Sequence, residues 1–124
     1  MSFESILQTV VDECGGGLAA VLMGSDGIPI AEVQAQTPND SNSTADIGTA
    51  GVEFARVLSE VRKASDASEG GGMKELVVGL ENFTLLFRSV DEDILLVLAL
   101  APDGNLGKAR YLMRRHLLAI RQEL

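Results

Sequence analysis

The chain has 124 residues, a length that suits one domain, expected to span 1–124, with room for a real core. It is 46% hydrophobic and 23% charged, has a net charge of −8, and holds one cysteine and one histidine. That balance argues against non-specific nucleic-acid binding and against an anionic membrane surface, excludes an intrachain disulfide, and all but excludes a histidine-bearing zinc site. With four Phe, one Tyr and no Trp, the core is expected to be aliphatic.

The opening "MSFESILQTVVDEC" has no basic region ahead of its apolar residues and does not read as a signal peptide. No apolar run approaches the ~20 residues that span a bilayer, so a cytoplasmic protein is expected. Phe3, Ile6, Leu7, Val10 and Cys14 fall at helical spacing, with Ser2 as cap, which predicts a helix over about residues 3–14. The glycines at 15–17 stop it. Cys14 reads as a small buried hydrophobe, with a reactive thiol as the alternative.

"LAAVLMG" is apolar at nearly every position, the mark of a strand covered on both faces. "SDG" makes a turn, and "IPIAEVQA" returns as a second strand. Pro29 cannot donate to a ladder, so this strand belongs at a sheet edge or starts there. "QTPNDSNSTAD" is a polar loop, and Asp46 or Thr44 supplies the cap of a second helix over about residues 47–66. Ile47, Gly51, Phe54, Leu58 and Val61 form its apolar stripe, widened by Ala50 and Val57, while Glu53, Arg56, Glu60 and Lys63 lie on other faces. "ASEGGG" breaks the chain at 67–72.

Three strands come next: "MKELVVGLE" (73–81), "FTLLFRSV" and "ILLVLALA". Their short connections force antiparallel neighbours, and the last, apolar throughout, is expected at the centre. After "PDGN", Asn105 caps a third helix with Leu106, Ala109, Met113, Leu117, Ile120 and Leu124 as its buried stripe. The order α-β-β-α-β-β-β-α describes an α+β layered domain with one five-stranded antiparallel sheet.

Catalysis needs a nucleophile, base or metal in mutual reach, and no such set emerges. His116, on the third helix beside Arg114 and Arg115, lacks an identifiable partner. Asp91, Glu92 and Asp93 cluster in a tight turn, where solvated carboxylates are common. Both glycine triplets lie between a helix and a strand, the reverse of a phosphate-binding loop. No active site, metal or cofactor is expected. Lys108, Arg110, Arg114, Arg115 and Arg121 place half the basic residues on the third helix, as a solvated face or as a docking patch for an acidic partner.

The order of elements, the stretch "GGGLAAVLMGSDGIPIAEV" and the ending "ILLVLALAPDGNLGKARYLMRRHL" together resemble the roadblock family (dynein light-chain roadblock type). "NLGKAR" at 105–110 is similar to the start of the last helix in bacterial members, some of which regulate a Ras-like GTPase that sets cell polarity. The resemblance covers nearly the whole chain. It implies a roadblock/profilin-like sheet with helices one and three on one face and helix two on the other. It also implies a homodimer, or a heterodimer with a paralogue, paired through the strand near 73–81 and through the second helices.

On that basis Phe54, Leu58, Leu76, Val78 and Leu80 are expected at the dimer interface, with the small Ala50 and Gly51 allowing a twin helix to approach. Glu53, Arg56, Glu60 and Lys63 are expected to dock a Ras-like small GTPase. Arg56 and Arg62 are candidates for an arginine inserted into the GTPase site. With the sequence closing on the third helix, no C-terminal extension of the kind some bacterial members carry is expected. The rival readings are a structural subunit whose binding ignores nucleotide and a small-ligand sensor with a PAS- or profilin-like cleft.

Overall fold

Ser2 caps the first helix, its hydroxyl accepting from the Ser5 N–H at 3.2 Å. In the computed structural model, which describes residues 2–35 and 47–124, the elements run α1 (Phe3–Glu13), β1 (Gly17–Gly24), β2 (Pro29–Gln34), α2 (Ile47–Ala67), β3 (Glu75–Gly79), β4 (Thr84–Ser89), β5 (Ile94–Leu100) and α3 (Leu106–Glu123). The loop read at 36–46, with the caps Thr44 and Asp46, lies outside the described residues, as does the side chain of Ile47.

The five strands form one antiparallel sheet in the order β2-β1-β5-β4-β3. β5 is central, as its unbroken apolar run requires. Pro29 opens β2 at one edge, where its missing N–H costs no ladder bond. β3 forms the other edge and is shorter than the 73–81 read from the sequence. Leu80 lies beyond it, in a turn closed by the Leu80 N–H donating to the Phe83 carbonyl at 3.0 Å.

Strand alternation divides the core into two layers. Ala20, Leu22, Leu86, Leu96, Leu98 and Leu100 face α1 and α3, meeting Ile6, Leu7, Val10, Val11, Ala109, Leu112, Met113 and Ile120. Ala19, Val21, Met23, Leu85, Phe87, Leu95, Val97 and Ala99 face the other way, with Leu58 of α2 and the half-buried Phe54, Leu76 and Val78. Full burial of a Leu or Phe side chain contributes roughly 1.5–3 kcal/mol, so both layers are substantial. Val11 and Leu112 join the core although they stand off the expected stripes. Leu124, expected inside, is 51% exposed, because α3 ends before the sheet can cover it.

Glycines set two close approaches. Gly16, at φ +89°, lies against the β5–α3 turn, where an added Cβ would come within 2.8 Å of Gly104 Cα. Gly27, at φ +87° in the β1–β2 turn, faces Gly51 of α2: a Cβ on Gly27 would sit 2.5 Å from the Gly51 carbonyl oxygen, and a Cβ on Gly51 would strike the Gly27 oxygen. Gly51, expected to admit a twin helix, instead seats α2 on its own sheet. At its far end α2 stops with Glu69 left-handed at φ 58°, as the Gly70 N–H donates to the Ser65 carbonyl at 2.9 Å.

Cys14 is buried at the end of α1, its thiol directed at the Val11 carbonyl, 3.6 Å away. Burial pushes its pKa above the ordinary thiol value. The native state therefore holds this proton more tightly than the unfolded chain. Cys14 costs no stability below the ordinary thiol pKa, and stability falls as pH rises through it.

Gly27→Ala, strained and sterically blocked, lowers stability by about 2–4 kcal/mol in denaturant melts. Cys14 reacts with a thiol reagent on the timescale of unfolding, and replacement by Ala removes the alkaline decline in stability.

Candidate functional site

α2 presents three strips to three environments. Gly51, Ala55 and Leu58 are buried against the sheet; Leu58 is only 2% exposed and lies in its own chain's core. Glu53, Arg56, Glu60 and Lys63 project from the opposite side. At about 100° per residue, all four fall within a ~80° sector centred away from Leu58. They form two local pairs, Arg56–Glu53 at 3.7 Å and Lys63–Glu60 at 3.1 Å. All four side chains are about 70% exposed, and such pairs contribute little to stability. Arg62, the other arginine considered for insertion, is half-buried on the flank of the helix.

The third strip borders the least covered part of the sheet. The Phe54 ring packs on Phe87 of β4, centroids 5.4 Å apart and tilted by 53°, so this flank of α2 is turned toward β4 and β3. Val57 and Val61 lie on the same flank. Val61 is half-buried, and Val57, expected to widen the buried stripe, is 52% exposed; Ala55 on the opposite flank is buried instead. The helix sits over β1 and β2, where the paired glycines admit it, so it covers the β3 side of the sheet only in part.

β3 shows the consequence. Leu76 and Val78 face the same layer as Phe54 and remain half-buried, and Leu80 just beyond is 45% exposed. Phe54, on the flank of α2 that also carries Val57 and Val61, packs on the same layer as Leu76 and Val78, and among the described residues β3 has no strand on its outer side. The structure brings Phe54, Leu76 and Val78 to one layer, leaves Leu80 exposed just beyond β3, and holds Leu58 beneath the helix. Sequence reasoning missed Val57 as a surface residue. Ala55, outside the expected stripe, is buried in its place, because the side of α2 that faces the sheet is set by the Gly27–Gly51 approach.

On the opposite layer, the Arg110 Nε donates to Glu75 at 2.9 Å, and the Arg121 Nε donates to the Val90 carbonyl at 2.8 Å. Arg88, opposite Glu75 in the ladder, has a buried Nε with no hydrogen-bond partner; the carboxylate it faces in register is taken by Arg110. The turn acids behave as turn chemistry: Asp26 accepts from the Ile28 N–H at 3.0 Å and Asp91 from the Asp93 N–H at 2.8 Å. Among the described residues no group of three His, Cys, Asp or Glu side chains is placed to hold a metal ion, and no helix is long and apolar enough to cross a membrane.

No family model matches the sequence, and no curated protein matches it. Solved structures do. MglC from Myxococcus xanthus is 37% identical to the chain, with 100% of each covered and a TM-score of 0.70. A Roadblock/LC7 domain from Streptomyces avermitilis reaches a TM-score of 0.82 at 17% identity, covering 99% of this chain and 98% of that one. The gliding protein MglB from Thermus thermophilus reaches 0.77 at 21% identity, over 91% and 81%. The latter two share the fold.

The division of α2 into a bearing side and a free side has a measurable outcome. Phe54→Ala, which removes the ring against Phe87, lowers unfolding stability by about 2–3 kcal/mol. Arg56→Ala and Lys63→Ala each change it by less than about 0.5 kcal/mol.

Proposed function

The chain belongs to the roadblock family, and from that membership we propose that it is a non-catalytic, dimeric regulator or scaffold for a Ras-like small GTPase, acting in the cytoplasm. The observation that carries the proposal is the set of half-buried and exposed apolar side chains on one layer, Phe54, Val57 and Val61 on α2 and Leu76, Val78 and Leu80 in or just beyond β3, an edge with no outer strand among the described residues. An open apolar edge recruits another strand, and a second copy, or a paralogue with the same border, supplies one of matching register.

The geometry of such pairing follows from symmetry. A two-fold axis perpendicular to the sheet joins β3 to β3 and keeps each α2 on the same side. The flanks of the two helices bearing Val57 then meet over the joined strands, and Leu58 supports each helix from below. Glu53, Arg56, Glu60 and Lys63 of both copies point outward together as a mixed-charge shelf. Charges of this kind fix orientation and encounter rate when a partner lands. A GTPase whose nucleotide states present different switch surfaces binds the shelf with different affinity in each state, and that difference is the regulatory act. No reacting group is assigned to the shelf.

Light scattering after size exclusion tests the first step: the expected mass is twice 13.1 kDa. Val57→Lys with Leu80→Lys, both at exposed positions, yields the single-chain mass. A wild type that is monomeric and has no paralogous partner overturns the dimer. For the second step, Arg56→Glu with Lys63→Glu weakens binding to the GTP-loaded GTPase by about tenfold while leaving the melting curve in place. Equal affinity for the GDP and GTP forms favours a structural subunit instead.

A further inference from the structure

α3 carries Lys108, Arg110, Arg114, Arg115 and Arg121 against one acid, Glu123, a net charge of +4. With the whole chain at −8, the remainder stands at −12. A concentration of cations this uneven is not needed for solubility, which the acidic remainder already secures. The structure sorts the five by task. Arg110 and Arg121 are engaged by the chain itself, Arg110 by Glu75 and Arg121 by the Val90 carbonyl. Lys108, Arg114 and Arg115 are exposed, and among the described residues their side chains make no ion pair or hydrogen bond.

Tyr111 and Leu118 lie among these free cations. They are seven residues apart, hence on one side of the helix, and are 52% and 62% exposed. Arg114 and Arg115 stand three and four residues from each, so the four side chains form a diamond with apolar tips and a cationic waist. Lys108 stands one turn before Tyr111.

We propose that this outward face of α3 is a docking surface for an acidic amphipathic helix of another protein. Two apolar anchors two turns apart are the spacing at which a partner helix lays down its own apolar stripe. The arginines beside them offer planar forks to carboxylates flanking that stripe. Charge selects the occupant. A second copy meeting through the same face sets three free cations against three. An anionic bilayer is repelled by the −12 of the remainder and finds fewer cations than a polybasic lipid-binding segment supplies. An acidic helix meets complementary charge at the diamond. This surface lies on the opposite layer from the β3–α2 border, and its use does not depend on the dimer or on a GTPase.

The probe is a labelled synthetic peptide of about three heptads, with leucine at positions a and d and glutamate at e and g, which repels its own copies and needs a basic partner. Fluorescence anisotropy is expected to show binding that weakens as salt rises from about 50 to about 300 mM. Arg114→Glu with Arg115→Glu, and separately Tyr111→Ala with Leu118→Ala, weaken it by at least about tenfold, with melting curves unchanged. The Val57→Lys, Leu80→Lys variant binds like wild type, which separates this surface from the proposed dimer border. The idea is overturned if wild type ignores the peptide, if charge reversal leaves affinity unchanged, if a lysine-for-glutamate peptide binds equally well, or if phosphatidylserine vesicles are bound and the peptide is not.

Discussion

The contact between Gly27 and Gly51 governs how the rest of this molecule is arranged. Two backbone segments approach where no Cβ could stand, and α2 is thereby seated over β1 and β2. A helix is only about 10–12 Å wide, so one helix placed there cannot also cover β3. The partly bare Leu76 and Val78 and the exposed Val57 are consequences of that placement. So is the direction in which Glu53, Arg56, Glu60 and Lys63 project, because fixing the buried strip of a helix fixes the opposite one.

The two layers of the sheet are unequal for the same reason. On one side α1 and α3 lie together and enclose an aliphatic core, so that Leu7, Val10, Leu22, Leu96, Leu98 and Met113 lose all contact with water. On the other side, among the described residues, a single helix does the covering, and the apolar surface runs on past it to the sheet edge. The better-covered layer frees the outer face of α3 from any packing duty. Arg110 and Arg121 tie the helix to β3 and to the end of β4, and its three remaining cations are left to solvent and to whatever meets them.

Much of the architecture was legible in the sequence. The number and order of elements, the edge position of Pro29, the central position of β5, and the caps at Ser2 and Asn105 all follow from short-range rules: periodicity, a missing N–H, a short polar side chain before an apolar run. Errors gathered where a residue's fate depends on the width of what packs against it. Val57 read as part of the apolar arc and Ala55 did not, and the seating of α2 sends the first outward and the second inward. Leu124 obeys the helical period but lies past the end of the surface that would bury it. Leu80 continues the alternation of β3 but falls in the turn. Gly51 is a site of close approach, as its sequence context indicates, but to the β1–β2 turn and not to a twin helix, because a glycine announces proximity without saying to what.

The sequence by itself determined the local conformations, the apolar character of both sheet faces and the acidity of the chain outside its last helix. Each is set by covalent structure and by neighbours a few residues away. Only the tertiary structure decided which side of the second helix is free, that apolar side chains at the β3 edge stay partly exposed among the described residues, and that two of the five cations on the third helix bond to the chain while three do not. Those outcomes turn on contacts between segments as far apart as Gly27 and Gly51, Phe54 and Phe87, or Glu75 and Arg110. Periodicity constrains each partner separately; the distance and angle between them are fixed only when both pack on the same sheet.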